Sequence, residues 1–395
     1  MSARVLTLRE LNRATLARQM LLDRENVSAL QAVGRLAGLQ AQVASPPYVG
    51  LWTRLGDFRR EELTRLMEER QVVRATLMRA TLHLMTAEDY LLLRPALQPA
   101  LTRSMGSIAG KRLDGLDIDR LVGAARGFFE REPHPFADLR PLLSQLEPDR
   151  DQSALAYAVR TQIPLVQVPS GGVWGYSGKA PFTTPERWLG RSPSDSEDPR
   201  GLVLKYLAAF GPATVRDVQT WSGRMRLRQP IEEMRAELRT FRDEGGNELF
   251  DLPDAPLPSG DTPAPPRFVP EYDNLVLSHA DRGRVISEEH RKKVFLSAAR
   301  VRATFLIDGF VRGAWKVEKA RKTATLQVEP FEPLSRGIAI SSATRVSVSS
   351  AFWPNRRAPR RSKSGSRSRP PEDPCKILAR IRDRTRRRDL RWATR

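Results

Sequence analysis

Two glutamines separated by one small residue, Gln40 and Gln42, are the first side chains whose types and spacing suggest chemistry. They lie between a segment with helical apolar spacing and the pair Pro46-Pro47, which we expect to break the helix. Glutamine cannot act as a general acid or base near neutral pH, but its amide orients water and its carbonyl dipole stabilises a cationic centre. Two amides suit a reaction whose leaving group needs little basic assistance. The alternative is that both are solvent-facing side chains that finish a helix.

A second polar group follows two alternating apolar runs, which predict a β-hairpin over residues 72–85. Arg79, Thr81 and His83 would line one side of this hairpin and contact phosphate or sugar groups. One alternative is an arginine at the turn with a histidine satisfied by a backbone carbonyl. Another is that His83 is an acid–base group, although no nearby carboxylate is clearly poised to orient it.

A third polar cluster occupies residues 271–274 and 278–282. Its short-range pattern predicts an Asx turn within a buried polar network. Equally, the cluster could support the two glutamines or bind a nucleic-acid backbone through Asn274, His279 and Arg282. Both interpretations stay open at the level of the sequence.

The charge of the chain points to a polyanionic partner. The net charge is +20 over 395 residues, and residues 336–395 supply +14 of it, with 18 Lys and Arg against 4 Asp and Glu. Without a long uncharged apolar stretch, a nucleic acid is favoured over a membrane. A single cysteine, Cys375, excludes an intramolecular disulfide, and the four histidines lack metal-ligand spacing. We therefore expect no metal, no cofactor, no signal peptide and a cytoplasmic location.

Helical periodicity predicts one order of elements three times: helices followed by a hairpin, as in a winged helix-turn-helix fold. In the first copy, one helix begins at residue 7, two more cover 28–39 and 59–69, and the hairpin covers 72–85. In the second copy, the helices are 116–131, 135–146 and 152–160, and the hairpin strands are 163–168 and 173–177. In the third copy, the helices are 202–210, 214–221 and 230–241, and 243–252 supplies the strand and wing. Many such domains serve as scaffolds, so the pattern alone does not specify DNA binding.

Beyond a Pro-rich linker, the sequence predicts strands at 303–307, 310–317 and 323–328, with an Asp308-Gly309 turn of type I′. The basic, Ser/Arg/Pro-rich tail that follows has a disordered composition. It is either a genuine phosphate-binding tail or an out-of-frame translation of a GC-rich gene. The fold class is α+β and mostly helical. The predicted domains are 1–110, 111–198 and 199–255 as three winged helices, 267–335 as a small β-rich domain, and 336–395 as the tail.

Four separated blocks occur in an order that resembles the winged-helix DNA-binding-domain family, which contains the AlkZ/YcaQ-type DNA glycosylases. The blocks are Gln40-Ala41-Gln42, residues 77–83, residues 270–282 and residues 304–310, and the resemblance extends over about residues 5–335. The tail departs from it, since the family continues with a helical C-terminus.

The resemblance implies hydrolysis of the N-glycosidic bond of N7-alkylated purines, including the unhooking of interstrand crosslinks. Such a base already carries a positive charge and leaves readily. The family's catalytic signature, Gln, an apolar residue, then Gln or Asp, falls on Gln40 and Gln42, and the Gln-x-Gln form resembles the branch associated with self-resistance to alkylating natural products. We expect the protein to be a nucleoid-associated monomer whose partner is double-stranded DNA with alkylated purines. The alternatives are a non-catalytic winged-helix regulator and an inactive scaffold.

Overall fold

The computed structural model of the protein describes residues 4–172, 174–176, 179–297, 299–319, 323–334, 376–381 and 390–393. The chain divides into two compact units. The first contains Met1–Ala264 and Tyr272–Ser287, and the second contains Pro265–Glu271 and Glu288–Arg395.

At least six of the α-helices begin at a residue whose side chain accepts a capping hydrogen bond. The α-helices are α1 (Leu8–Arg18), α2 (Ala29–Arg35), α3 (Pro46–Arg54), α4 (Arg60–Glu68), α5 (Ala87–Leu93), α6 (Gln98–Ala109), α7 (Ile118–Arg131), α8 (Arg140–Leu146), α9 (Gln152–Gln162), α10 (Pro185–Leu189), α11 (Arg200–Phe210), α12 (Val215–Ser222), α13 (Arg228–Glu233) and α14 (Glu288–Val294), with 3-10 turns at Met78–Ala80, Pro95–Leu97, Gly110–Leu113, Phe136–Leu139, Arg235–Glu237 and Asn274–Val276. Thr7, Ser28 and Thr214 each form a capping box with the residue three positions later, which satisfies the first backbone N–H groups of α1, α2 and α12.

Two sheets belong to the first unit. Its strands are β1 (Val5–Leu6), β2 (Leu39–Gln40), β3 (Val72–Thr76), β4 (Leu82–Thr86), β5 (Val166–Gln167), β6 (Phe182–Thr183), β7 (Arg239–Asp243) and β8 (Glu248–Asp251). One sheet has the order β2-β4-β3-β5-β6 and the other the order β1-β7-β8, in which β1 pairs with β7 in parallel. The predicted hairpin over residues 72–85 is confirmed as β3 and β4.

The two sheets join segments that the sequence assigns to different domains. Strand β3 pairs with β5, so the predicted units 1–110 and 111–198 share one sheet, and β1 joins the segment 199–255. Strand β5 also pairs with Phe182–Thr183, and the described part of the partner that the sequence suggests, residues 174–176, is not in a strand. Residues 173, 177 and 178 lie outside the described residues. Such pairings depend on distant segments, which a local pattern does not reveal.

Helix α2 ends at Arg35, before the two glutamines, although the sequence predicts a helix through Leu39. Ala37 and Gly38 adopt positive φ values of 53° and 85° and turn the chain into β2. A Cβ on Gly38 would lie 2.9 Å from the Leu84 carbonyl oxygen, so glycine is required at this close approach. Gln40 therefore lies in a strand.

The proline pair after the glutamines starts a helix and does not break one. Pro46 and Pro47 occupy the first turn of α3, where a missing N–H costs no intrahelical hydrogen bond. The predicted helix 230–241 is also too long. Helix α13 ends at Glu233, and after a 3-10 turn the chain enters β7, because Phe241 faces the core of the β1-β7-β8 sheet with Leu6 and Leu249.

The largest core cluster of the first unit packs α5, α11, α12 and the β3–β4 hairpin together, with Tyr206, Phe210 and Trp221 at its centre. A second cluster packs α7, α8 and α9 around Phe129 and Leu155. The first cluster contains Met78, from the turn between β3 and β4, so the interior of the unit fixes that turn.

The second unit is built on a sheet of order β14-β13-β12-β11-β10-β9. Its strands are β9 (Arg267–Val269), β10 (Thr304–Ile307), β11 (Phe310–Lys319), β12 (Thr323–Pro330), β13 (Lys376–Ile381) and β14 (Leu390–Ala393). The three strands predicted between 303 and 328 are confirmed, and Asp308 and Gly309 both have the positive φ of a type I′ turn. Residues 272–287, which the sequence assigns to the β-rich domain, belong to the first unit instead.

The predicted disordered tail, 336–395, lies mostly outside the described residues. Its two described segments are the strands β13 and β14, and for these the prediction of disorder is wrong. The fold is mixed α+β, as the sequence predicts. No helix in the described ranges is long and apolar enough to cross a membrane.

Candidate active site

The 77–82 turn, defined as the turn between β3 and β4 together with Leu82, the first residue of β4, contacts both glutamines of the 40–42 motif. Nη2 of Arg79 donates to Oε1 of Gln40 at 2.8 Å, and the backbone N–H of Leu82 donates to Oε1 of Gln42 at 3.2 Å. The backbone N–H of Ala41 donates to the Leu82 carbonyl oxygen at 2.7 Å, which continues the β2–β4 pairing. The first two polar groups of the sequence therefore form one site.

Hydrogen-bond chemistry fixes the orientation of both amides. A guanidinium and a backbone N–H can only donate, so each glutamine directs its carbonyl oxygen at the 77–82 turn. Among the described residues, each oxygen accepts this one side-chain or backbone donor, which leaves it a lone pair, and neither amide nitrogen donates a hydrogen bond. The sequence suggests carbonyl dipoles that stabilise a cation, whereas this orientation turns the carbonyls toward the protein and leaves the N–H groups for a ligand.

The two amides differ in access. Gln42, just after β2, is exposed, whereas Gln40, in β2, is only 8 % exposed. A ligand at the surface therefore meets the Gln42 amide first and only one edge of Gln40.

The backbone of the turn is strained at the residue that holds Gln40. Arg79 and Ala80 have φ values of 54° and 56°, a left-handed conformation that costs energy for residues other than glycine. Nη1 of Arg79 donates to the Trp221 carbonyl oxygen at 2.7 Å, at the C-terminal end of α12. Burial, and secondarily the nearby Arg282, lowers the pKa of Arg79 to about 10, so it is charged at neutral pH.

A second arginine holds the backbone of the motif. Arg74, buried in β3, donates from Nε and Nη2 to the Ala41 carbonyl oxygen at 2.9 and 2.6 Å. Its Nη1 donates to Oε1 of Gln167 at 2.6 Å, and its guanidinium lies 4.9 Å from the centre of the Tyr176 ring. Burial lowers the pKa of Arg74. Sequence reasoning missed this residue, although an arginine within the apolar run of β3 is a signal that could have found it.

The third polar cluster is a buried network that supports the motif. Asp273 accepts from Arg54 at 2.8 and 2.9 Å, and Nδ2 of Asn274 donates to the Gly38 carbonyl oxygen at 2.9 Å. Nε2 of His279 lies 3.1 Å from the Phe210 carbonyl oxygen. Of the open interpretations, the buried network agrees with the structure, and the contact with Gly38 links it to the glutamines.

His83 is buried and neutral. It is 0 % exposed, and its Nδ1 lies 3.1 Å from the Thr81 carbonyl oxygen, as the backbone-satisfied alternative predicts. Burial first, and then the charge of Arg79, lowers its pKa to about 3. It therefore carries no titratable proton between about pH 4 and 10, the range in which an acid–base group would act.

The burial of three predicted DNA-binding residues does not support direct contacts with DNA. His83, Asn274 and His279 are each at most 3 % exposed, so their side chains are enclosed by protein. Arg79, Thr81 and Arg282 are half-buried, and their contacts with DNA stay predictions. Within the described ranges, no group of His, Cys, Asp or Glu side chains could hold a metal ion.

The fold resembles that of a known DNA-processing enzyme. The solved structure of Streptomyces sahachiroi DNA glycosylase AlkZ matches with a TM-score of 0.71 and 24 % identity, over 87 % of this chain and 96 % of that one. A curated protein of the same organism, named "Interstrand DNA cross-link repair glycosylase", is 26 % identical over 343 residues, which are 81 % of this chain and 89 % of the relative.

The model of the family described as DNA glycosylase AlkZ-like matches residues 33–365. The chain therefore belongs to the AlkZ-like family, as its resemblance predicts. It is a DNA glycosylase, a DNA-repair enzyme that hydrolyses N-glycosidic bonds, and its substrate is DNA.

Proposed function

We propose that this glycosylase removes N7-alkylated purines from double-stranded DNA and that interstrand crosslinks are among its substrates. An N7-alkylated purine carries a positive charge, so it takes the electron pair of the breaking C1′–N9 bond without a proton. Water forms the new bond to C1′ and loses a proton to the solvent, leaving an abasic site. The name of the S. sahachiroi relative supports crosslinks as substrates.

We propose Gln40 and Gln42 as the catalytic residues. The single observation that carries this assignment is that one turn, residues 77–82, holds both amide oxygens while Gln42 stays exposed. The remaining lone pairs and N–H groups are suited to orienting one water molecule beside the sugar. Because the leaving group needs no acid, two neutral amides suffice for this chemistry.

We further propose that the first unit consists of three winged helix-turn-helix segments, of which the first two have their wings in one sheet. In support, α2–α4 precede β3 and β4, α7–α9 precede β5 and β6, and α11–α13 precede β7 and β8. Thr81 and Arg282 are the proposed phosphate contacts. The chain is proposed to act as a monomer, which light scattering with and without duplex DNA would test.

The purified chain would be incubated with a duplex containing one N7-methylguanine and with a crosslinked duplex, and abasic sites would be measured. We expect Gln42→Ala to lower the single-turnover rate about 100-fold or more without weakening DNA binding. Gln31→Ala is the matched control, since Gln31 is also an exposed glutamine whose amide oxygen accepts a backbone N–H, that of Ser28 at 3.1 Å. A folded wild-type chain that releases base from neither duplex would contradict the proposed substrates.

A further inference from the structure

We infer that Arg79 is a positioning residue that sets the side chain of Gln40 for the reaction. This inference rests on the proposed function, since it assigns a partner to a proposed catalytic residue. It also differs from the sequence-based prediction that Arg79 contacts DNA.

The guanidinium of Arg79 bridges two neutral acceptors with its two terminal nitrogens. One is Oε1 of Gln40 at 2.8 Å and the other is the Trp221 carbonyl oxygen at 2.7 Å. Both nitrogens are thereby directed into the protein. The planar guanidinium of an arginine makes its two contacts at a fixed separation. The Gln40 amide is therefore held at a fixed position relative to the end of α12.

The end of α12 is a suitable anchor for this cation. The last carbonyl groups of a helix carry partial negative charge, which favours a cation there. The chain also packs closely: Gly223, with φ +80°, ends α12, and a Cβ on it would lie 3.4 Å from the backbone nitrogen of Arg79. The strained pair Arg79-Ala80 is held by this packing and by the hydrogen bond from Leu77 N–H to the Thr81 carbonyl oxygen at 3.0 Å.

No carboxylate among the described residues pairs with Arg79, and its hydrogen-bond partners are neutral oxygens. Its positive charge is therefore not offset by a counter-charge and acts on the Gln40 amide. A charged donor on the carbonyl oxygen polarises the amide and strengthens its N–H groups as donors. It also prevents the side-chain amide from turning end for end, since the NH₂ end would then face a guanidinium that cannot accept. Loss of Arg79 would leave Gln40 several orientations, of which few are productive.

The test is a double-mutant cycle under single-turnover conditions at saturating enzyme, with N7-methylguanine duplex as the probe. The variants are Arg79→Met, Gln40→Ala and their combination. Arg79→Met is expected to lower the rate about 10- to 100-fold with an unchanged dissociation constant for the duplex, because misplaced groups lose rate and not binding. The double variant is expected to be no slower than Gln40→Ala, because Arg79 acts through Gln40.

Two further variants separate positioning from charge and from structure. Arg79→Lys keeps the charge but not the fork, so it should restore little of the rate. Arg103→Met is the matched control: Arg103 donates to the Gly223 carbonyl oxygen at 2.6 Å, at the same end of α12, without touching Gln40. It should leave the single-turnover rate unchanged, and thermal melts of all variants would report folding.

The outcomes are distinguishable. A wild-type rate for Gln40→Ala overturns the role of Gln40 and the inference together. A slow Gln40→Ala with an additive effect of Arg79→Met overturns the inference alone. A different result would make Arg79 a phosphate contact. In that case Arg79→Met weakens duplex binding and reduces the slope of log affinity against log salt concentration by about one, and Arg79→Lys behaves like the wild type.

Discussion

Arginine side chains in the interior or at its edge are neutralised in one region of the first unit and not in another. Near the first and third helices, Arg18 pairs with Asp251 at 2.6 Å and Arg54 with Asp273 at 2.8 Å, and all four side chains are at most 2 % exposed. Around the 40–42 motif, Arg74 and Arg79 are bound by carbonyl and amide oxygens, and among the described residues no carboxylate pairs with either.

The two groups of arginines have different roles in the molecule. The paired arginines join distant segments of the chain, since 233 residues separate Arg18 from Asp251, and their charge is cancelled locally. The unpaired arginines leave net positive charge beside the glutamines. A polyanion that approaches this surface meets an attractive potential, which is appropriate for an enzyme that binds DNA.

The largest loss of stability is expected when one partner of a neutralised pair is removed. Asp273→Asn leaves Arg54 buried without its counter-charge, and we expect it to lower the free energy of unfolding by about 3–5 kcal/mol. Urea denaturation would measure this. Asp281→Asn is the control, because the exposed Asp281 carboxylate accepts a hydrogen bond from the backbone of Gly283. Equal stability of the two variants would contradict the distinction.

An unpaired arginine should be less costly to remove. Arg74→Met eliminates the buried charge together with its desolvation and leaves neutral acceptors, Ala41 and Gln167, without a donor. We expect a loss of about 1–3 kcal/mol in the free energy of unfolding, smaller than that of Asp273→Asn. The same denaturation experiment checks it. A larger loss than in Asp273→Asn would reverse the order that the comparison predicts.

The smallest expected effect concerns His83, which the charge of Arg79 helps to keep neutral. Its folded pKa, about 3, lies below the usual 6.5, so the unfolded chain binds the proton first and stability falls as the pH drops below about 6.5. Between pH 6 and 5, His83→Asn should reduce the pH slope of the free energy of unfolding by at most about 1.4 kcal/mol per pH unit. Arg79→Met should raise the pKa of His83 in NMR titrations; an unchanged value would show that the charge has no influence there.

Features set by neighbouring residues were predictable. Thr7, Ser28 and Thr214 mark helix starts because a cap needs only the next three residues, and Asp308-Gly309 specifies its turn by its own backbone preference. The β3–β4 hairpin and the β10–β11 hairpin followed from the same kind of local signal.

Features set by distant residues were not predictable. The residue types at 40 and 42 suggested an active site, but the sequence does not show that Arg79 and Leu82 contact their amides. A proline pair either ends or begins a helix, and tertiary context decides which. The burial of His83 and His279 likewise depends on elements far along the chain, so their polar type alone suggested surface contacts.

The parallel pairing of β1 with β7 has a consequence for biosynthesis. Val5 lies opposite Arg242, so the second strand of this ladder leaves the ribosome long after the first. At ordinary translation speeds the interval is on the order of tens of seconds. The β1-β7-β8 sheet, and the packing of Leu6 against Phe241 and Leu249, can therefore form only late in the synthesis of the first unit.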